Sequence, residues 1–203
     1  MQLPSEYKPR KLEDFIGPAQ RTARLMMNLG NHARENNNSS IKFLLNGEPG
    51  VGKSALAEFF ACHMGCVEKH SRIKYNGTKV NVEVVDDIGR QLAYRSLYGD
   101  YNYVWIDEAD KIPQVAQVRL LTLLDDLGDG CAVVCTSNCK LKDFEERFQT
   151  RFRVLEVEAP QPHELQSLLA RFLTNEKTIT RIAQFACGNV RAALLDADLA
   201  VAA

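Results

Sequence analysis

From Gly47 to Ser54 the chain reads GEPGVGKS, and from Tyr103 to Asp110 it reads YVWIDEAD. The first spacing, GxxxxGK[ST], suits a phosphate chain. Backbone amides of a glycine-rich loop wrap the anion, Lys53 neutralises it and the Ser54 hydroxyl can hold Mg²⁺. Gly47, Pro49, Gly50, Val51, Gly52 and Ala55 complete that candidate nucleotide site. The second segment is an apolar run closed by two carboxylates, which delivers Asp107 to the metal and Glu108 to a water. Further along, the segment CTSN places Asn138 one strand on from Asp107, where an amide could orient a water; a plain turn asparagine is the other reading. Arg147 and Arg151, in EERFQTRF, and Arg191, in GNVRAALLDADLA, read by position alone as solvated charges.

These residues need a scaffold that brings strand ends together. Ile41 to Gly47 is a short apolar run ending in the glycine loop, and Ser54 to Met64 is apolar at helical spacing, which predicts strand, loop and helix. The helix N-terminus then faces the loop, where its dipole and free amides favour phosphate. Further strands are expected around Ile73, at Tyr103–Ile106, Ala132–Thr136 and Val154–Val157, with helices over Val82–Leu97 and Pro113–Leu127 between them. A polar loop, Asn36–Ser40, separates a first helix from the first strand. Such alternation predicts an α/β fold: a three-layer P-loop sandwich on a parallel five-stranded sheet, over residues 1–159, with ligands at the carboxyl ends of the strands. After Ala159, Pro160 and Pro162 punctuate the chain, and helices are expected at Pro162–Leu173, Lys177–Ala186 and Asn189–Val201. Residues 160–203 are therefore read as a small all-helical domain leaning on the α/β body.

Composition narrows the class. The 203 residues are 45% hydrophobic and 25% charged with a formal net charge of −1, which suits an ordinary globular core and announces no nucleic-acid bias for the chain as a whole. No apolar run approaches a membrane span, and the start, MQLPSEYKPRKLEDF, has no signal-like stretch, so a cytoplasmic protein is expected, nuclear in a eukaryote, with no membrane partner. Cys62, Cys66, Cys131, Cys135, Cys139 and Cys187 are read as reduced thiols. Cys62, Cys66, His63 and His70 cluster without zinc spacing, and Cys131 and Cys135 fall in a strand pattern as core.

In order along the chain, EYKPRKLEDFIG, GEPGVGKS, YNGT, WIDEAD, TSN, QTRF and GNVRAAL resemble the signatures of the AAA+ ATPases, and among them the clamp-loader clade, with Holliday-junction motors and origin-recognition proteins as neighbours. The resemblance implies ATP and Mg²⁺ as ligands. It implies that Tyr7, Pro9, Ile16 and Gly17 lie over the adenine, that Asn138 is the first sensor, and that Arg191 is a lid arginine reaching the γ-phosphate. It implies that Arg151, or failing it Arg147, is an arginine finger acting on the ATP of a neighbouring subunit, so that a homo- or hetero-oligomer is required. Lys8 stands where the N-terminal signature has arginine, Pro18 follows Gly17, and TRF replaces SRC. Clamp-loader subunits usually carry a helical collar after the lid; with the chain reaching Ala203, assembly is expected to depend on the ATP interface or on another protein.

The resemblance further implies DNA as a partner, gripped along its backbone by Lys74, Lys79, Arg90, Lys111 and Arg119, which are interspersed with Glu83, Asp86 and Asp87. A clamp-loader-like replication or repair ATPase is the leading expectation, with a sliding clamp as its partner. A helicase loader or transposition regulator, acting with a helicase or transposase, is the nearest rival. An ATP-dependent scaffold or filament is the rival from outside the enzymes.

Overall fold

In the computed structural model, residues 7–68, 70–94, 96, 99–139 and 146–202 are described. The α/β part runs α1 (Gly17–Glu35), β1 (Ile41–Asn46), α2 (Lys53–His63), β2 (Arg72–Asn76), α3 (Val82–Leu92), β3 (Asn102–Asp107), α4 (Gln114–Asp125), β4 (Cys131–Ser137), the short α5 (Glu146–Gln149) and β5 (Arg153–Glu156). Three helices follow: α6 (Pro162–Leu169), α7 (Glu176–Phe185) and α8 (Val190–Ala202).

The five strands form one sheet in the order β2-β3-β4-β1-β5, every pairing parallel. Sequence period dictates which face each residue serves. In β3, Tyr103 and Trp105 join the core under α1 and α2 with Phe43, Leu45, Phe59 and Phe60. Val104 and Ile106 point the other way, to Val85, Ile88, Leu120 and Leu124 of α3 and α4. Both faces of the central strands are covered, which is why β1, β3 and β4 read as nearly continuous apolar runs rather than alternating ones. The Tyr103 hydroxyl is satisfied inside the first core by donating to the Ala57 carbonyl at 2.7 Å.

The all-parallel sheet and the helical C-terminal region match the fold expected from sequence, and the departures lie at helix ends. α3 stops at Leu92; of the expected extension, Leu97 lies outside the described residues. α6 stops at Leu169 although the apolar pattern continues to Leu173. A tertiary contact interrupts it: Arg171 donates to the Tyr7 hydroxyl (3.1 Å) and the Glu13 carbonyl (3.0 Å), and Phe172 meets the Tyr7 ring edge-on. Asn175 then starts α7 by accepting from the Lys177 and Thr178 amides. Leu165, Leu169, Ile179, Ile182, Ala193 and Ala197 give the three helices a core of their own, and Ile16 of the N-terminal segment packs on it.

Candidate active site

Strand order builds the site. β4 lies between β1, which ends in the glycine loop, and β3, which ends at Asp107, so a β4 side chain is needed to join them. Thr136 does this. Its hydroxyl donates to Asp107 Oδ1 at 2.6 Å and accepts the Glu108 amide at 3.1 Å. Ser54, at the start of α2, donates to the same Asp107 oxygen at 3.3 Å. A serine hydroxyl beside a carboxylate is the hard-oxygen pair that Mg²⁺ prefers, so these residues fit the ion. When bound it would neutralise charge on the phosphates.

Lys53 is buried at 6% exposure and donates to the Gly47 and Glu48 carbonyls at 2.7 and 2.6 Å. Burial pushes its ammonium down to about 8, against the pull of Asp107 and Asp110. The loop is tied to the helical region as well: the Val190 amide, at the start of α8, donates to the Gly50 carbonyl at 3.0 Å. Gly50 adopts φ +84°, and a Cβ there would lie 2.0 Å from Asn189 Oδ1, so the contact requires glycine. Asn189 in turn caps α8 through the Ala192 amide at 3.0 Å.

Glu108 has a left-handed backbone, φ +56°, which costs a non-glycine residue roughly 1–3 kcal/mol and marks constraint at the site. Gly77 makes room for it: a Cβ at 77 would stand 2.1 Å from the Glu108 carbonyl oxygen. One carboxylate oxygen, Oε2, accepts from Lys111 Nζ at 2.9 Å and from Asn76 Nδ2 at 3.4 Å. These two bonds hold the carboxyl below its usual range, Lys111 contributing most. Neither role was legible. YNGT reads as a segment of the resemblance and Lys111 as a DNA cation, because a β2 terminus and a residue one turn past Glu108 meet only in three dimensions.

The expected site residues converge, with exceptions. A cavity of about 530 Å³ is lined by Tyr7, Pro9, Ile16, Pro49, Gly50, Val51, Gly52, Lys53, Ser54, Ala55, Asp107, Glu108, Asn138 and Arg191, and by the unforeseen Asn76 and Thr136. The Asn138 amide donates to Asp110 Oδ1 at 3.2 Å. Gly47 and Gly17 stand outside the lining. The Gly47 carbonyl receives Lys53, and Gly17 opens α1 against the Glu164 carboxylate. Arg147 and Arg151 are also outside it. A larger cleft of about 1000 Å³, between α3 and α4 at the far ends of the strands, gathers none of these residues.

The candidate DNA cations are mostly engaged. Lys74 pairs with Asp107 Oδ2 at 3.3 Å and lies 3.6 Å over the Trp105 ring; Arg90 pairs with Asp87, and Arg119 with Asp86 at 2.6 Å. Lys79 is exposed. Around the cysteine cluster, the Cys66 thiol donates to the Tyr101 carbonyl at 3.4 Å, burial pushes it up to about 12, and His63 bonds Asn31 at 3.0 Å. Cys131 and Cys135 are buried core, as expected.

Residues 43–159, the strands and loops that build this cavity, match the ATPase family associated with various cellular activities, AAA. The chain belongs to that family. It is 27% identical over 175 residues to the replication factor C small subunit of Methanocella arvoryzae, a match covering 84% of this chain and 52% of that protein. It is 27% identical over 124 residues to the Holliday junction branch migration complex subunit RuvB of Nitratidesulfovibrio vulgaris, covering 61% and 36%. This AAA chain thus spans about half, or less, of the length of these relatives. Among solved structures, the Thermotoga maritima RuvB Holliday junction branch migration motor superposes with a TM-score of 0.76 at 20% identity, covering 93% of this chain and 63% of that one. A DNA polymerase III gamma subunit-related protein of the same organism gives 0.66 at 16%, covering 86% and 57%. These likenesses establish the fold. No helix among the described residues is long and apolar enough to cross a membrane.

Proposed function

We propose that this chain hydrolyses ATP at sites shared between subunits and uses the cycle to act on DNA or a DNA-bound partner, with a clamp-loader-like role in replication or repair as the leading form. The supporting observation is how the charged groups divide. Lys53, Ser54, Asp107, Glu108, Asn138 and Arg191 line one cavity, while Arg151 stands apart from it on the surface, beside Asp125. Phosphoryl transfer is catalysed mainly by positioning and charge neutralisation, and an arginine held outside its own cavity on the surface is placed to supply charge to a neighbour's.

In this reading Lys53 counters the phosphate charge and Ser54 and Asp107 hold Mg²⁺. Glu108 takes the proton of the attacking water, Asn138 orients that water, and Arg191 reaches the γ-phosphate from the helical lid, residues 160–203. Tyr7, Pro9 and Ile16 enclose the base. The names of the relatives, a replication factor and a branch-migration motor, support DNA as the partner.

Mixing two inactive variants tests the reading. Arg151→Ala is expected to bind ATP nearly normally and be inactive alone, as is Glu108→Gln. Mixed oligomers are expected to regain turnover, because some interfaces join an intact Glu108 to an intact Arg151. Mixed oligomers that stay inactive would count against Arg151 as the finger in trans, and for Arg147 or a role in the same subunit. Wild-type assembly on ATP with no turnover, with or without DNA, would favour an ATP-dependent scaffold. DNA-independent turnover stimulated by a helicase or transposase would favour a loader or regulator of those machines.

A further inference from the structure

We propose that Asp125 is the positioning residue for Arg151, fixing its guanidinium in the orientation that meets a neighbouring subunit's phosphates; this rests on the reading of Arg151 as acting in trans. Arg151 is carried on a rigid peg. On either side of it Phe148 and Phe152 are buried in the second core with ring centroids 4.9 Å apart, so the backbone at this point has little freedom. What remains to be fixed is the long side chain, and Asp125 takes it side-on: Nε donates to Oδ1 at 3.1 Å and Nη2 to Oδ2 at 3.0 Å. Nη1 donates to the Arg147 carbonyl at 3.1 Å. A guanidinium has five N–H groups, and these bonds occupy one on each nitrogen. The second hydrogen of Nη2 makes no hydrogen bond among the described residues, and that of Nη1 only a long 3.5 Å contact to Thr150 Oγ1. The terminal nitrogens thus keep donors in hand for the bidentate grip with which arginine holds a phosphate.

Stability does not account for the carboxylate. Asp125 is the last residue of α4, the end of a helix where a negative charge opposes the dipole. Lys42 Nζ bonds the adjacent Leu124 carbonyl at 2.9 Å and supplies the cation that such an end favours. The ion pair is 31% and 52% exposed at its two side chains, and exposed pairs add little to stability. Each partner shifts the other, Asp125 downward and Arg151 upward, so the pair stays ionised.

The test is a double-mutant cycle on ATP turnover, with melting temperature and ATP KM measured alongside. Asp125→Ala is expected to lower kcat roughly 10- to 100-fold, the range for a misplaced catalytic group, with KM and melting temperature little changed. Asp125→Asn, which keeps one acceptor, is expected to fall between. In the residual single-turnover hydrolysis of the Arg151→Ala oligomer, adding Asp125→Ala is expected to lower the rate no further. Wild-type or raised turnover in Asp125→Ala overturns the proposal, as does a second, equal loss in the Arg151→Ala background. If Arg151→Ala alone retains wild-type turnover, the trans reading fails and takes this one with it. Independently of turnover, the Arg151 Nε–H resonance is expected to exchange faster with solvent in Asp125→Ala, and an unchanged resonance overturns the proposal.

Discussion

At Lys53 two demands conflict. In the proposed reading the ammonium faces phosphate, and its burial, only partly offset by Asp107 and Asp110, lowers its pKa to about 8. Phosphate favours the charged form, so nucleotide binding takes up a proton whenever pH exceeds that value. ATP affinity is therefore expected to fall as pH rises through about 8, and calorimetry in buffers of different ionisation enthalpy will register the uptake. Glu108 carries the opposite sign. Lys111 holds its carboxyl low, so Lys111→Ala raises the Glu108 pKa and is expected to move the acid limb of the kcat–pH profile to higher pH. An unmoved acid limb would count against Glu108 as the titrating base or against Lys111 as its partner. At this scale the sequence was legible where chemistry is written in consecutive residues, as in Gly47–Ser54. It was silent on Thr136 and Asn76, whose partners are 29 and 32 positions away.

At the scale of elements, the central strands β1, β3 and β4 were legible because burial on both faces leaves a nearly unbroken apolar signature, and the edge strands β2 and β5 from shorter apolar pairs. The end of α6 was not, because nothing in its own residues stops it; Tyr7 and Glu13, at the other end of the chain, recruit Arg171. α8 shows the reverse case, a helix whose start is set locally by Asn189. Asn189→Ala is expected to lose that cap and about 1 kcal/mol of stability, measurable by denaturant unfolding. Because Asn189 also sits against Gly50, the same substitution is expected to weaken nucleotide binding. A stability loss with unchanged ATP affinity would separate the cap from the loop contact.

Across the whole molecule, carboxylates beside the candidate DNA cations set the expected strength of that contact. Arg90 and Arg119 keep Asp87 and Asp86 at hand, so a phosphate must displace a carboxylate rather than meet a free cation. The chain by itself is expected to bind DNA weakly, with little sequence preference and a salt dependence that steepens only when subunits assemble on ATP. Titrations at two salt concentrations, with and without ATP, check this. A steep slope for the isolated subunit would show that the ion pairs open at little cost.

The stacking of Lys74 on Trp105 gives the molecule an optical property. Trp105 is the chain's sole tryptophan, so all indole emission originates two residues before Asp107, on the same face of β3. The ammonium over that ring is also the counter-ion of Asp107 Oδ2. Whatever competes for that carboxylate oxygen lifts a cation from the chromophore, and the emission changes with it. Without any label, Mg²⁺–ATP arrival is expected to be visible as a fluorescence change that Lys74→Met abolishes, a built-in signal reporting the occupancy of one carboxylate.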